Sequence, residues 1–232
     1  MRLLAIDTAL EACSACVVEA REGHAVEVLA QESLPMTRGH AEALVPLLDR
    51  VVGATEGGFE RLGRVAVTVG PGSFTGLRVG IASARAVSLA RDIPAVGVTT
   101  LAAFAAPAIA RGGSSIVAVA IDARHGSIYF QAFTAEGRTI ASPRIVGLRD
   151  AARQLGSGPV RVIGGGAELL AAEARALGLD AQVEDATPAP DIVWVARLGV
   201  SASPEQALPK PFYLRPPDAK PQDHVHIPRR AS

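Results

Sequence analysis

Two stretches of this chain begin alike. Leu3-Leu-Ala-Ile-Asp7 and Val117-Ala-Val-Ala-Ile-Asp122 are apolar runs that each end in Ile-Asp. Each is followed by a strand-like segment, Ala12 to Glu19 and Ser127 to Thr134, and then by a Glu-Gly turn, Glu22-Gly23 and Glu136-Gly137. The two aspartates are 115 residues apart and the two glycines 114, so the register slips by one residue. A start repeated at half the chain length points to two lobes built on the same strand-hairpin unit.

The length of 232 residues suits one large domain or two small lobes. A chain of this size buries roughly 70–75% of its unfolded surface, so it needs neither metal nor disulfide to fold. Hydrophobic residues at 49% and charged residues at 20% exclude disorder over most of the chain. The 23 basic and 23 acidic residues balance, which argues against a dominant basic face but leaves room for a local basic patch. Lysine occurs only at Lys210 and Lys220. The first 209 residues therefore supply no P-loop, kinase-type or Schiff-base lysine.

Cys13 and Cys16 form a single C-x-x-C with no second pair to complete a zinc site. On a strand, i and i+3 point to opposite faces, so the pair reads as small apolar residues in a reducing compartment. Asp7 interrupts the short apolar run after Arg2, which does not make a secretory signal. The uncharged stretch Ile93 to Ala110 contains Pro94, Gly97 and Pro107 and reads as a strand and a buried helix, not a membrane span. The expected localisation is cytoplasmic.

Strands are expected at Arg2 to Asp7, Ala12 to Glu19, Ala25 to Gln31, Arg64 to Val69 and Ala95 to Val98. A helix is expected from about His40 to Ala54, with Leu44, Leu47, Leu48, Val51 and Val52 on one face and Pro46 kinking its second turn. Further helices are expected at Leu77 to Ala90 and Thr100 to Ala110. The second half reads as strands at Val117 to Asp122, Ser127 to Thr134 and Val160 to Ile163, a Gly164 to Gly166 turn, and helices Ala167 to Leu177 and Asp191 to Val200. From Pro209 prolines punctuate the chain. Phe212 to Leu214 are expected to pack, and residues after about Lys220 to be disordered.

The run Gly70-Pro-Gly-Ser-Phe-Thr-Gly76 between a strand and a helix is the most informative segment. Free backbone N–H groups at a helix start suit an anion, which makes Gly70, Gly72, Ser73, Thr75 and Arg78 candidate anion- or nucleotide-proximal residues. The competing reading is a tight turn whose glycines only permit close packing. It is not a P-loop, since Leu77-Arg78 stands where Lys-Ser/Thr is needed. Asp7 and Asp122 end equivalent strands and would face a cleft between lobes, either orienting a metal–nucleotide or water, or capping their own turns. No histidines are spaced for a helical metal pair, and Ser73 lacks a nucleophile-elbow context. Gly164 to Gly166 could approach a nucleotide but lacks the dinucleotide fingerprint.

The run Gly70 to Gly80, with Ala5-Ile-Asp-Thr8, His40-Ala-Glu42, Val98-Thr-Thr-Leu101 and Tyr213-Leu-Arg215, resembles the TsaB family. That family is the bacterial partner subunit in making threonylcarbamoyladenosine on tRNA. The resemblance implies an α/β, two-lobed actin/Hsp70-like (ASKHA) fold with duplicated mixed-sheet lobes. The N-terminal lobe would span 1–112, bind the partner, and be followed by a C-terminal lobe at 113–220 and a tail at 221–232. The related catalytic subunit TsaD carries a Val-Asn-His-x-x-x-His segment whose histidines hold a metal. Here Thr100 and Phe104 stand in those places, and phenylalanine cannot ligate a metal.

The implied role is a non-catalytic scaffold without cofactor or metal, paired with TsaD and the ATPase TsaE and touching tRNA indirectly; a homodimer is a candidate state of the chain alone, and the sequence leaves the oligomeric state open. The rival is an enzyme in its own right, a nucleotide-dependent transferase or glycoprotease-like peptidase using the interlobe cleft. Helical spacing places Gly76, Gly80 and Ala84 on one small-residue stripe that would let another helix approach closely. With His40, Leu44 and Leu48 of the preceding helix, these are the candidate partner-interface residues, and packing within the chain's own core is the alternative.

Overall fold

The computed structural model describes residues 1–214. The apolar run at the start forms β1 (Arg2–Asp7), buried on both faces along its whole length. It pairs antiparallel with β2 (Ala12–Glu19), which pairs antiparallel with β3 (Glu27–Pro35). Helix α1 (His40–Gly53) follows and continues unbroken through Pro46. After a 3-10 turn at Gly58–Arg61, β4 (Leu62–Gly70) returns parallel to β1. Helix α2 (Phe74–Arg91), β5 (Ala95–Thr99) and α3 (Thr100–Arg111) complete the first half.

The second half repeats the plan with β6 (Ile116–Asp122), β7 (Ser127–Phe133), β8 (Thr139–Gly147), α4 (Leu148–Arg153), β9 (Val160–Ile163), α5 (Ala167–Ala176) and β10 (Ala181–Asp185). The sheet orders are β3-β2-β1-β4-β5 and β8-β7-β6-β9-β10, the same topology twice. The architecture is thus α/β, with two lobes each built on a mixed five-stranded sheet, as the repeat predicts. The one-residue slip has a location. Six residues separate paired Asp7 and Ser14, but only five separate paired Asp122 and Ile128.

Three elements of the second half escape the sequence reading: β8, α4 and β10. β8 and β10 are the two edges of their sheet. An edge strand tolerates Pro143 and charges such as Glu184 and Asp185, which hide its pattern.

Helices α1 and α2 cover one face of the first sheet, around Leu4, Ile6, Val17, Val65 and Val67. The last helix, α6 (Ile192–Ser201), leaves the second half and covers the other face, with Ile192, Val195 and Ala196 against Leu3, Ala5, Cys16 and Val96. Gly199 lets it lie directly on Ala66. The Arg64 guanidinium donates to the carbonyl oxygens of Gly199, Val200 and Ala202 at 3.0 Å each, capping the helix end. Helix α3 crosses the opposite way. Leu101, Phe104, Ala105 and Ala108 pack on Val117, Val119, Ile121 and Ile163 of the second sheet. The last helix and Phe212 therefore sit with the first sheet, while Leu214 packs on the cluster between α3 and the second sheet; the resemblance groups all of them in a lobe spanning 113–220. The expected tail at 221–232 lies outside the described residues. Among the described residues, no helix is long and apolar enough to cross a membrane.

Candidate functional site

The glycine loop is built against the β1–β2 turn. The Ser73 backbone N–H donates to the Ala9 carbonyl oxygen at 2.7 Å, and the Ser73 hydroxyl caps α2 by accepting from the Gly76 N–H at 3.3 Å. The Thr8 hydroxyl donates to the Gly76 carbonyl oxygen at 2.7 Å. A Cβ at Gly72 would strike the Ala9 carbonyl oxygen, one at Gly76 the Thr8 carbonyl oxygen, and one at Gly80 the Thr8 hydroxyl. The glycines therefore admit the chain's own turn, and the Ser73 and Gly76 N–H groups are already used. Close packing accounts for Gly72, Ser73 and Gly76. Thr75 and Arg78 are exposed, and Gly70 is buried at a positive φ of 114°.

Asp7 is fully buried. Its Oδ1 accepts from the Ala9 N–H at 3.0 Å and from the Thr68 hydroxyl at 2.5 Å, while Oδ2 is buried without a partner. Burial pushes its carboxyl above the usual value, opposed by the Thr68 and Ala9 hydrogen bonds and the charge of His40. The side chain braces the turn that receives the glycine loop. Asp122 is exposed and accepts from the Arg124 N–H at 2.8 Å, capping its own turn. The second glycine run packs inward as well, since Gly166 N–H donates to the Ala120 carbonyl oxygen at 2.9 Å and a Cβ at Gly164 would sit 2.6 Å from that oxygen.

The residues expected at a partner interface are largely internal. Leu44, Leu48, Gly76, Gly80 and Ala84 are buried within the chain. The small-residue stripe of α2 faces Thr8 and Val67, not a second helix outside. A strand turn needs the same small side chains that a helix would, and here the turn from residues 8 to 9 occupies the groove. His40 is nearly buried too, its Nε2–H donating to the Leu10 carbonyl oxygen at 2.9 Å and fixing the start of α1.

What α1 and α2 present outward is different. Ala41 and Val45 of α1 and Ala82, Ala86 and Leu89 of α2 are exposed, Val45 at 66% and Leu89 at 86%. The two helices lie side by side on one face of the sheet, so these residues lie on the outward side of the α1–α2 pair. Beside it, the segment after α6 runs back along the first sheet. Gly97 N–H donates to the Ala207 carbonyl oxygen at 2.7 Å and Phe212 N–H to that of Val69 at 2.7 Å. Phe212 packs into the first core as expected, but Tyr213 is turned outward.

Thr100 and Phe104, which the resemblance sets against the catalytic relatives' histidines, lie inside. Phe104 is 2% exposed and packed on the second sheet, and the Thr100 hydroxyl is buried. These side chains do not fit a metal. Among the described residues, no three His, Cys, Asp or Glu side chains gather to hold one.

The family model for TsaD, tRNA N6-adenosine threonylcarbamoyltransferase, matches residues 27–169. The chain is 35% identical over 130 residues to the tRNA threonylcarbamoyladenosine biosynthesis protein TsaB of Escherichia coli, an alignment covering 56% of this chain and 54% of that one. With TsaB of Haemophilus influenzae it shares 34% identity over 130 residues, covering 56% and 52%. The chain thus spans about half the length of the curated relatives it matches. An uncharacterized protein of Mycobacterium tuberculosis is 35% identical over 221 residues, 94% of each chain. A solved structure from Pseudomonas aeruginosa, described as an uncharacterized protein with similarity to peptidase YeaZ, superposes with a TM-score of 0.71 at 25% identity, covering 92% of this chain and 99% of that one. The matched family model, the named relatives and the shared fold agree, and the chain belongs to the TsaB family within the wider TsaD domain family.

Proposed function

We propose that this chain is the non-catalytic subunit needed for tRNA threonylcarbamoyladenosine modification next to the anticodon. It would scaffold and activate TsaD, the threonylcarbamoyl transferase, with the ATPase TsaE joining them. The observation that carries this reading is the burial of Thr100 and Phe104. Where catalytic relatives have metal-binding histidines, this chain has a hydroxyl and a phenyl ring committed to the core between α3 and the second sheet. Recovering a metal there would require rebuilding that core.

The docking surface in this reading is the exposed side of α1 and α2, centred on Val45, Ala82 and Ala86, one helical face away from the buried stripe. Small residues on parallel surface helices let a partner's helices approach closely. Apolar groups such as Val45 and Leu89 gain by leaving water, at about 25 cal/mol per Å². The test is co-elution of purified chain and TsaD on size exclusion. The native chain should form a stoichiometric complex, and Ala82→Arg should melt normally but elute alone. An Ala82→Arg variant that still co-elutes would move the interface elsewhere.

A further inference from the structure

The outer face of α2 carries a second feature beside the apolar one. At 3.6 residues per turn, Phe74, Arg78 and Arg85 fall within about 40° of one another. All three are exposed. The Arg78 guanidinium carbon lies 3.7 Å from the centroid of the Phe74 ring. Its Nε–H donates to the Tyr213 hydroxyl oxygen at 3.3 Å, and the Phe74 and Tyr213 rings sit 5.5 Å apart at 31°. Two turns on, Arg85 donates to the Pro209 carbonyl oxygen at 2.6 Å. Two exposed aromatic rings thus flank a guanidinium, and the segment 209–213 holds them against the helix.

The charge on this side of α2 is mainly positive in a chain that is neutral overall, with Asp92 lining the same hollow as Arg85 and Pro209. Helix α2 carries Arg78, Arg85 and Arg91 and no acidic residue. Arg91 is paired with Glu60, but Arg78 and Arg85 have no ion pair among the described residues. Lys210 is exposed beside Pro209. From Lys210 onward the sequence adds Arg215, Lys220, Arg229 and Arg230 against only Asp218 and Asp223. Both lysines of the chain fall in this last stretch of the sequence. Exposed rings offer π-faces to which a base of any identity can stack, and unpaired guanidinium and ammonium groups offer partners for phosphate.

We propose that Phe74, Arg78 and Tyr213, with Arg85 and Lys210 beside them, form a contact site for single-stranded RNA. A base stacks on the aromatic pair, and the flanking phosphates meet Arg78, Arg85 and Lys210. The proposal rests on the reading that the chain works on tRNA, whose anticodon loop presents unpaired bases. A protein partner would need a run of carboxylates to match the same surface.

The experiment titrates labelled anticodon stem-loop RNA with the full chain alone, read by fluorescence anisotropy at several salt concentrations. Wild type should bind by about 100 µM at low salt, within the range of non-specific nucleic-acid affinities. Tyr213→Ala and Phe74→Ala should each weaken binding about 10-fold. Arg78→Gln should lower the log–log salt slope by about 0.7, the value of one lost single-strand phosphate contact. Arg138→Gln, on an exposed turn of the second lobe, should leave both unchanged. All variants should keep the wild-type melting temperature and co-elute with TsaD. Absence of RNA binding by wild type, variants that bind as wild type does, or variants that lose TsaD but keep RNA would overturn the proposal. Because RNA binding is read on this chain alone, a failed modification assay leaves the result interpretable.

Discussion

Thr8 and Gly80 share one space: a Cβ on Gly80 would run into the Thr8 hydroxyl, which is committed to the carbonyl oxygen of Gly76 at 2.7 Å. Alanine would gain roughly 1 kcal/mol of helix propensity at this position. Overpacking against a fixed, hydrogen-bonded side chain costs about 1–3 kcal/mol. Gly80→Ala should therefore be stability-neutral at best and as much as about 2 kcal/mol less stable by urea unfolding. Gly80→Arg should not yield a soluble folded protein at all. A folded Gly80→Arg chain would show that the stripe faces outward.

Asp7 makes stability depend on pH in a defined direction. Burial raises its folded value above the ordinary 3.8. The folded state then holds the proton to higher pH than the unfolded state does. The favourable contribution is complete below about 4 and is lost as pH rises through the folded value. Asp7→Asn keeps an oxygen to accept from Ala9 and Thr68 and removes the buried charge at Oδ2. Its melting temperature should exceed the wild type's at pH 8, with the gap narrowing toward pH 4. A gap that widens on acidification would contradict this assignment.

The two thiols should be inert in the folded chain. Burial, with a smaller contribution from Asp7, pushes Cys13 up to about 11, and burial with Asp191 pushes Cys16 up to about 12. The thiolate is the reactive form, and little of it exists at neutral pH. Iodoacetamide at pH 8 should leave the native mass unchanged and add two groups only in denaturant. Rapid native labelling would mean that the sheet opens around β2.

The returning segment should stabilise the first sheet measurably. The Phe212 carbonyl oxygen lies 2.7 Å from where a Cβ on Gly70 would sit, and the Leu208 carbonyl oxygen 2.8 Å from one on Gly97. Phe212→Ala removes a half-buried ring from the core and should cost about 2 kcal/mol, less than the 3–5 typical of full burial. Gly70→Ala, strained at φ 114° as well as crowded, should cost at least as much. Equal melting temperatures for wild type and both variants would show that the segment is not docked.

The paired Ile-Asp strands made the two-lobed plan readable, because a strand buried on both faces is a short continuous apolar run and the same run, hairpin and turn occur twice. The end of β4 and the start of α2 were readable because Ser73 and the surrounding glycines mark a turn and a cap. The direction of the Gly76–Gly80–Ala84 stripe was not, since small residues suit a partner helix and a folded-back turn equally. What decides it is Thr8, 68 residues from Gly76 in sequence. The Phe74–Arg78–Tyr213 cluster was hidden for the same reason, as Arg78 and Tyr213 are 135 residues apart. The outward α1–α2 surface was missed because helical arithmetic gives the faces of a helix without saying which one the sheet occupies.

The central claim is that this chain enables threonylcarbamoyl transfer without performing it. The direct measurement supplies a tRNA transcript, threonylcarbamoyl-adenylate and purified TsaD, with or without this chain, and quantifies modified adenosine by mass spectrometry of digested RNA. The account predicts product only when both proteins are present, none with this chain alone, and loss of at least 10-fold with Ala82→Arg. Product formed by this chain alone, or by TsaD equally well without it, would contradict the account.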